Sequence, residues 1–192
     1  MTNLIQFAAG YVSGQWLSPC YVELDSVGRI SSIGADKPAA AVTERNPGYL
    51  LPGFANAHSH SFQYLMCGMT ERLVPGHEAD DFWSWRDRMY QLAAVLDPQQ
   101  LLDLTTRFYQ TLLEYGYTAV CEFHYLHHDK SGDAYDKPAA LSEAIMEAAR
   151  RSGIRLTLVP VYYHQSAPGK ARQQIPRVAF GYGSSWLVCT DT

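Results

Sequence analysis

Tyr49-Leu50-Leu51-Pro52-Gly53-Phe54-Ala55-Asn56-Ala57-His58-Ser59-His60 is an apolar run that closes on a polar cluster. Such a run fits a buried strand delivering side chains to a site at its C-terminal end. In a strand, residues i and i+2 project to the same side, so the imidazoles of His58 and His60 can face one centre and ligate one ion. Spacing alone is equally satisfied by two surface histidines, so the neighbourhood must decide.

Downstream, helices alternate with apolar strands. Asp97-Pro98 reads as an N-cap followed by proline at the first helical position, and Leu101, Leu104, Phe108, Leu112 and Tyr115 then recur on one helical face up to Gly116. A strand follows over Tyr117 to Phe123. Ala140, Leu141, Ala144, Ile145, Ala148 and Ala149 mark a second helix that stops at Gly153, and Ile154 to Tyr162 reads as a further strand. This alternation argues for βαβ units and a parallel α/β sheet, either open or closed into a barrel. A complete barrel takes about 250 residues, whereas only 132 residues (192 minus 60) follow His60, so about half a barrel fits at most. Upstream, short apolar runs (Asn3 to Tyr11, Tyr21 to Leu24, Ile30 to Ile33) separated by turn residues such as Ser26-Val27-Gly28-Arg29 form a small β-module over 1–48.

Composition is that of an ordinary globular protein, 47% hydrophobic and 18% charged. The net charge of −4 and the scatter of Lys and Arg offer no basic stripe, so nucleic acid is not an expected partner. No apolar run approaches the roughly 20 residues of a membrane span, and the start lacks a charged region leading into an apolar stretch. No membrane association and a cytoplasmic location are therefore expected. Cys20, Cys67, Cys121 and Cys189 are irregularly spaced and read as reduced, structural thiols, with Cys67 and Cys121 packed in apolar surroundings.

The segment Leu51 to His60 resembles the first-strand motif of the amidohydrolase superfamily, whose members hold one or two metals at the mouth of a TIM barrel. Within it, His58-Ser59-His60-Ser61-Phe62-Gln63, Asp81-Phe82-Trp83-Ser84-Trp85-Arg86, Met89-Tyr90 and Glu122-Phe123-His124-Tyr125-Leu126-His127-His128-Asp129 are similar to the formimidoylglutamate deiminases over roughly residues 50 to 163. The resemblance implies the N-terminal portion of a metal-dependent hydrolase TIM (β/α)8 barrel, left incomplete. Residues 1–48 would be part of a split β-sandwich, 49–164 the first βα units and 165–192 a divergent tail. It implies that His58 and His60 are the first two zinc ligands and that Gln63, Arg86 and Tyr125 bind substrate. Their chemistry suits those roles, since Arg86 offers a planar donor fork for a carboxylate while Gln63 and Tyr125 offer neutral hydrogen bonds. The implied small-molecule substrate is N-formimidoyl-L-glutamate, hydrolysed to N-formyl-L-glutamate and ammonia in histidine degradation.

Structural alternatives stand beside these roles. Phe82, Trp83 and Trp85 can form an aromatic helix face with Arg86 lying over a ring. His124, His127 and His128 invite a second metal site, but their polar loop favours hydrogen-bonded structure. Glu122 is open between a paired buried carboxylate and a catalytic one. His77 is expected to be exposed, and His164 to end the third strand.

Full-length members of the family take a third histidine, an aspartate and the acid/base residues from later strands, and none of those motifs follows Tyr163. The expectation is a shortened or frameshifted product that is not a competent enzyme alone. Its open sheet edge would favour association, including a homo-oligomer. Two other functions remain open: a non-catalytic remnant that binds a partner, and an amidohydrolase deaminase acting on another substrate.

Overall fold

The computed structural model describes residues 3–70, 82–161 and 188–189. The chain divides into two compact units, Met1–Gly53 and Phe54–Thr192.

In the first unit β1 (Asn3–Val12) is the hub. It pairs antiparallel with β2 (Gln15–Leu17) and β3 (Cys20–Leu24) and parallel with β5 (Glu44–Leu50), while β4 (Ile30–Gly34) extends the sheet from β3. The β3–β4 turn forms where the Asp25 carboxylate accepts from the backbone N–H groups of Val27 and Arg29. Leu4, Cys20 and Val22 build the buried face. A side chain at Gly10 would bring a Cβ to 2.6 Å from the Cys20 sulfur, so only glycine fits there. β2 and β5 lack the apolar runs by which the other three strands are recognised. β5 is largely exposed and contains Pro47-Gly48, and the register shift between Phe7 and Ala9 lets Tyr49 and Leu50 still pair with Ala9 and Gly10.

In the second unit β6 (Phe54–Ser59), β7 (Tyr117–His124) and β8 (Arg155–Pro160) form a parallel sheet in that order, with β9 (Val188–Cys189) antiparallel to β8. A 3-10 helix spans Ser61–Met66. The helices are α1 (Phe82–Ala93), α2 (Pro98–Glu114) and α3 (Ala140–Ser152). This is the α/β architecture that the sequence alternation implies. The expectation of a buried strand before His58 needs correction, because within β6 only Ser59 is buried. Among the described residues β6 pairs with β7 alone, so one edge and the His58 face meet solvent.

α2 begins where its composition marks it. The Asp97 carboxylate accepts from the Gln100 N–H at 2.8 Å, and the Gln100 side chain accepts from the Asp97 N–H at 3.0 Å, a reciprocal cap with Pro98 at the first position. α3 ends on Gly153 with φ 83°, the left-handed conformation that glycine adopts at no cost. The fully buried stripe of α2 is Leu101, Leu102, Thr105 and Tyr109. It is rotated from the expected face, since Leu104, Phe108 and Leu112 are partly buried and Tyr115 is exposed. Thr105 and Tyr109 turn inward because each hydrogen-bonds a buried polar group. Around them Leu101, Val120, Leu141, Ile145, Leu156 and Leu158 form the core, each worth about 1.5–3 kcal/mol of burial.

Candidate metal and substrate site

His58 and His60 come together through an irregularity rather than a regular strand. Asn56 pairs with Val120 and Ser59 with Glu122, so β6 carries one extra residue against β7 at this point. Such a bulge re-aims side chains. The Asn56 side chain accepts from the His58 N–H at 3.2 Å. The result sets the two Nε2 atoms 2.9 Å apart with the rings at 90°.

Phe123 fixes the ring of His60, whose Nδ1 lies 2.9 Å from the Phe123 carbonyl oxygen. Nδ1 must be the donor, because a carbonyl only accepts, and this leaves the Nε2 lone pair directed at His58. Burial lowers the His60 pKa, the Phe123 carbonyl opposes, and His58 lowers it further. The neutral form is the one that ligates metals. The donor set fits a divalent ion such as zinc: two nitrogens about 2.05 Å from a tetrahedral ion stand about 3.3 Å apart, so the pair needs to open by only a few tenths of an ångström. Among the described residues no group of three or more His, Cys, Asp or Glu side chains could hold a metal.

β7 alternates strictly. Val120, Glu122 and His124 are buried, whereas Phe123 faces the histidines, its ring 4.5 Å from that of His58. The Tyr125 ring lies 4.8 Å from that of His60. Glu122 has the partners that sequence reading left open: its carboxylate accepts from the Ser61 N–H at 2.5 Å and from the Tyr109 hydroxyl at 3.4 Å. The Thr105 hydroxyl donates to Ser61 Oγ at 3.1 Å. Burial pushes the Glu122 carboxyl above the usual range, opposed by the Ser61 N–H and by the Ser59, Ser61 and Tyr109 hydroxyls. A lone carboxylate in the apolar stripe of a strand was the available sequence signal.

The other implied substrate residues are placed on neighbouring elements. Gln63 lies on the 3-10 helix and its amide donates to the Met89 sulfur at 3.3 Å, which links it to α1. Arg86 lies on α1 with its guanidinium carbon 5.5 Å from the Tyr90 ring centroid, the stacked arrangement that was its structural alternative. Phe82 and Trp85 pack ring to ring at 5.9 Å.

The histidine-rich loop is held as structure. His127 Nε2 lies 3.1 Å from the Val161 carbonyl, and Asp129 accepts from the backbone of Ser131 and Asp133. His124 is fully buried, which lowers its pKa to about 3, with His127 adding to the shift and the Leu126 backbone opposing. Cys20, Cys67 and Cys121 form no disulfide, and Cys67 is exposed rather than packed, because it follows the last residue of the 3-10 helix. His77, Asp81, His164, the Trp83 side chain, Tyr162 and the tail 165–192, apart from the backbone of β9, lie outside the described residues. No helix among the described residues is long and apolar enough to cross a membrane.

Residues 49–179 match the amidohydrolase family model. The chain is 43% identical over 154 residues to a formimidoylglutamate deiminase of Pseudomonas aeruginosa, an alignment covering 80% of this chain and 33% of that protein. The chain thus spans about a third of the length of this curated relative. A solved amidohydrolase from Brucella melitensis superposes with a TM-score of 0.78 at 38% identity, covering 87% of this chain and 36% of that one. A zinc-complexed atrazine chlorohydrolase from Arthrobacter aurescens TC1 superposes with a TM-score of 0.59 at 20% identity, covering 81% and 34%, a likeness of fold alone. These partial coverages agree with an incomplete barrel.

Proposed function

Because the chain belongs to the amidohydrolase family, we propose that it supplies the first part of a zinc-dependent deiminase site. The site hydrolyses N-formimidoyl-L-glutamate to N-formyl-L-glutamate and ammonia. The observation that carries this reading is the convergence of the His58 and His60 Nε2 atoms at 2.9 Å, with the His60 tautomer set by Phe123. The similarity to the Pseudomonas aeruginosa formimidoylglutamate deiminase supports the choice of substrate.

In this reading His58 and His60 hold the ion, which when bound activates water near neutral pH and polarises the C=N group. Water adds to the formimidoyl carbon, and the terminal nitrogen leaves as ammonia once protonated. Tyr125, beside His60, hydrogen-bonds the formimidoyl group. Gln63 holds a polar group of the glutamate portion, and Arg86 forms a two-pronged contact with a carboxylate after leaving Tyr90. A catalytic zinc takes three protein ligands plus water. The described residues supply two, and the remaining ligand and the acid/base groups lie outside them.

The test is a chimera in which residues 54–161 replace the matching segment of the Pseudomonas aeruginosa deiminase. Ammonia release from N-formimidoyl-L-glutamate, lost on His60→Ala, is the expected result. A folded chimera that holds zinc but hydrolyses only a different amidine or amine would contradict the substrate assignment.

A further inference from the structure

We propose that Glu122 is a positioning residue for metal capture, holding the His60–Ser61 peptide so that the His60 Nε2 stays aimed at the His58 Nε2. This rests on the reading of His58 and His60 as a metal pair. Two consecutive residues of β7 grip His60 from different sides: the Phe123 carbonyl takes its ring Nδ1–H, and the Glu122 carboxylate takes the N–H of the peptide that follows it. The other end of that peptide is also fixed, since the His60 carbonyl accepts from the Gln63 N–H at 2.9 Å.

Glu122, Ser61 and Thr105 are each at most 1% exposed, so water does not compete for these bonds. A buried carboxylate is a poor way to gain stability, because an apolar side chain of similar volume would fill the space at lower desolvation cost. What the carboxylate adds is a directional bond to one N–H, immediately behind a bulged strand whose geometry is otherwise loosely specified. The groups that orient a metal-binding histidine typically change metal affinity by about 10–100-fold when removed.

The experiment follows the imidazole 15N resonances of His58 and His60 in the full chain during zinc titration. Three variants are compared with the unaltered chain. Glu122→Asp keeps the charge but withdraws the carboxylate by one carbon–carbon bond, about 1.5 Å. Glu122→Gln keeps the reach without the charge. Ser61→Pro removes the donor at a helical first position where proline is tolerated, together with the Ser61 hydroxyl that accepts from Thr105. The expected result is zinc binding weakened about tenfold or more in Glu122→Asp and Ser61→Pro, with a mixed His60 tautomer before metal is added. Glu122→Gln should stay within about threefold, a neutral bond replacing one roughly twice as strong.

Should Glu122→Asp fail to fold, Ser61→Pro carries the same expectation. Unchanged affinity in a folded Glu122→Asp or Ser61→Pro chain would overturn the proposal while leaving the metal pair intact. So would a loss in Glu122→Gln equal to that in Glu122→Asp. If zinc shifts neither histidine in the unaltered chain, the metal reading itself falls and this proposal with it.

Discussion

The Nδ1 of His60 stands 2.9 Å from the carbonyl oxygen of Phe123, a contact across 63 residues of sequence. It joins β6 to β7 at the strand ends and decides which imidazole nitrogen is available. Replacing the ring by one that cannot donate at this position would break the bond and free the ring to turn. A backbone acceptor, unlike a side chain, cannot be removed by substituting Phe123.

Arg86 is the cation expected to meet a substrate carboxylate. In the chimera carrying residues 54–161, Arg86→Met should raise KM for N-formimidoyl-L-glutamate about 10–100-fold, the equivalent of a charge-assisted hydrogen bond of about 1.5–3 kcal/mol. Steady-state ammonia release measures it. An unchanged KM would remove Arg86 from substrate binding and leave it a structural role that includes stacking on Tyr90.

His124 should make the chain acid-sensitive. Its pKa falls to about 3 in the folded protein, against 6.5 for the ordinary group. Above pH 6.5 neither state binds the proton and the residue has no effect. As the pH falls below 6.5 the unfolded chain takes up a proton that the native state refuses, so stability is lost progressively down to about pH 3. Between pH 7.5 and 5.0 the loss is about 2 kcal/mol. Urea unfolding at the two values should show His124→Phe losing less stability by that amount. Glu122, shifted the other way, is common to both proteins and cancels in the comparison.

Asp97 closes the first turn of α2 through its reciprocal bonds with Gln100. Asp97→Ala should cost about 1 kcal/mol, within the range of about 0.5–2 kcal/mol for lost caps. The midpoint of urea unfolding should fall with no change in its slope. Its ion pair with Lys130 at 3.4 Å is exposed and adds little.

Elements that carry their own boundary chemistry were legible in the sequence. α2 begins at Asp97-Pro98, α3 stops at Gly153, and β7 is a short apolar run between them. β2 and β5 were not legible, because they exist through pairing with β1 and not through any alternation of their own. The buried face of α2 was misread by a fraction of a turn. Apolar periodicity selected Leu104 and Phe108, whereas the polar demands of Ser61 and Glu122 turn Thr105 and Tyr109 inward. The His58–Ser59–His60 pattern was visible, but a regular strand was the wrong reason for its geometry, since a one-residue bulge aims the rings. The role of Glu122 was hidden because its partners, Ser61 and Tyr109, come from two other elements.

Shared ligation of one ion by His58 and His60 can be read from zinc K-edge X-ray absorption of the zinc-loaded chain. Two imidazole nitrogens at about 2.0–2.1 Å are expected, lost in both His58→Ala and His60→Ala. Sulfur scattering at about 2.3 Å, or imidazole scattering that survives both substitutions, would contradict it by placing the ion on the cysteines or on the histidine-rich loop.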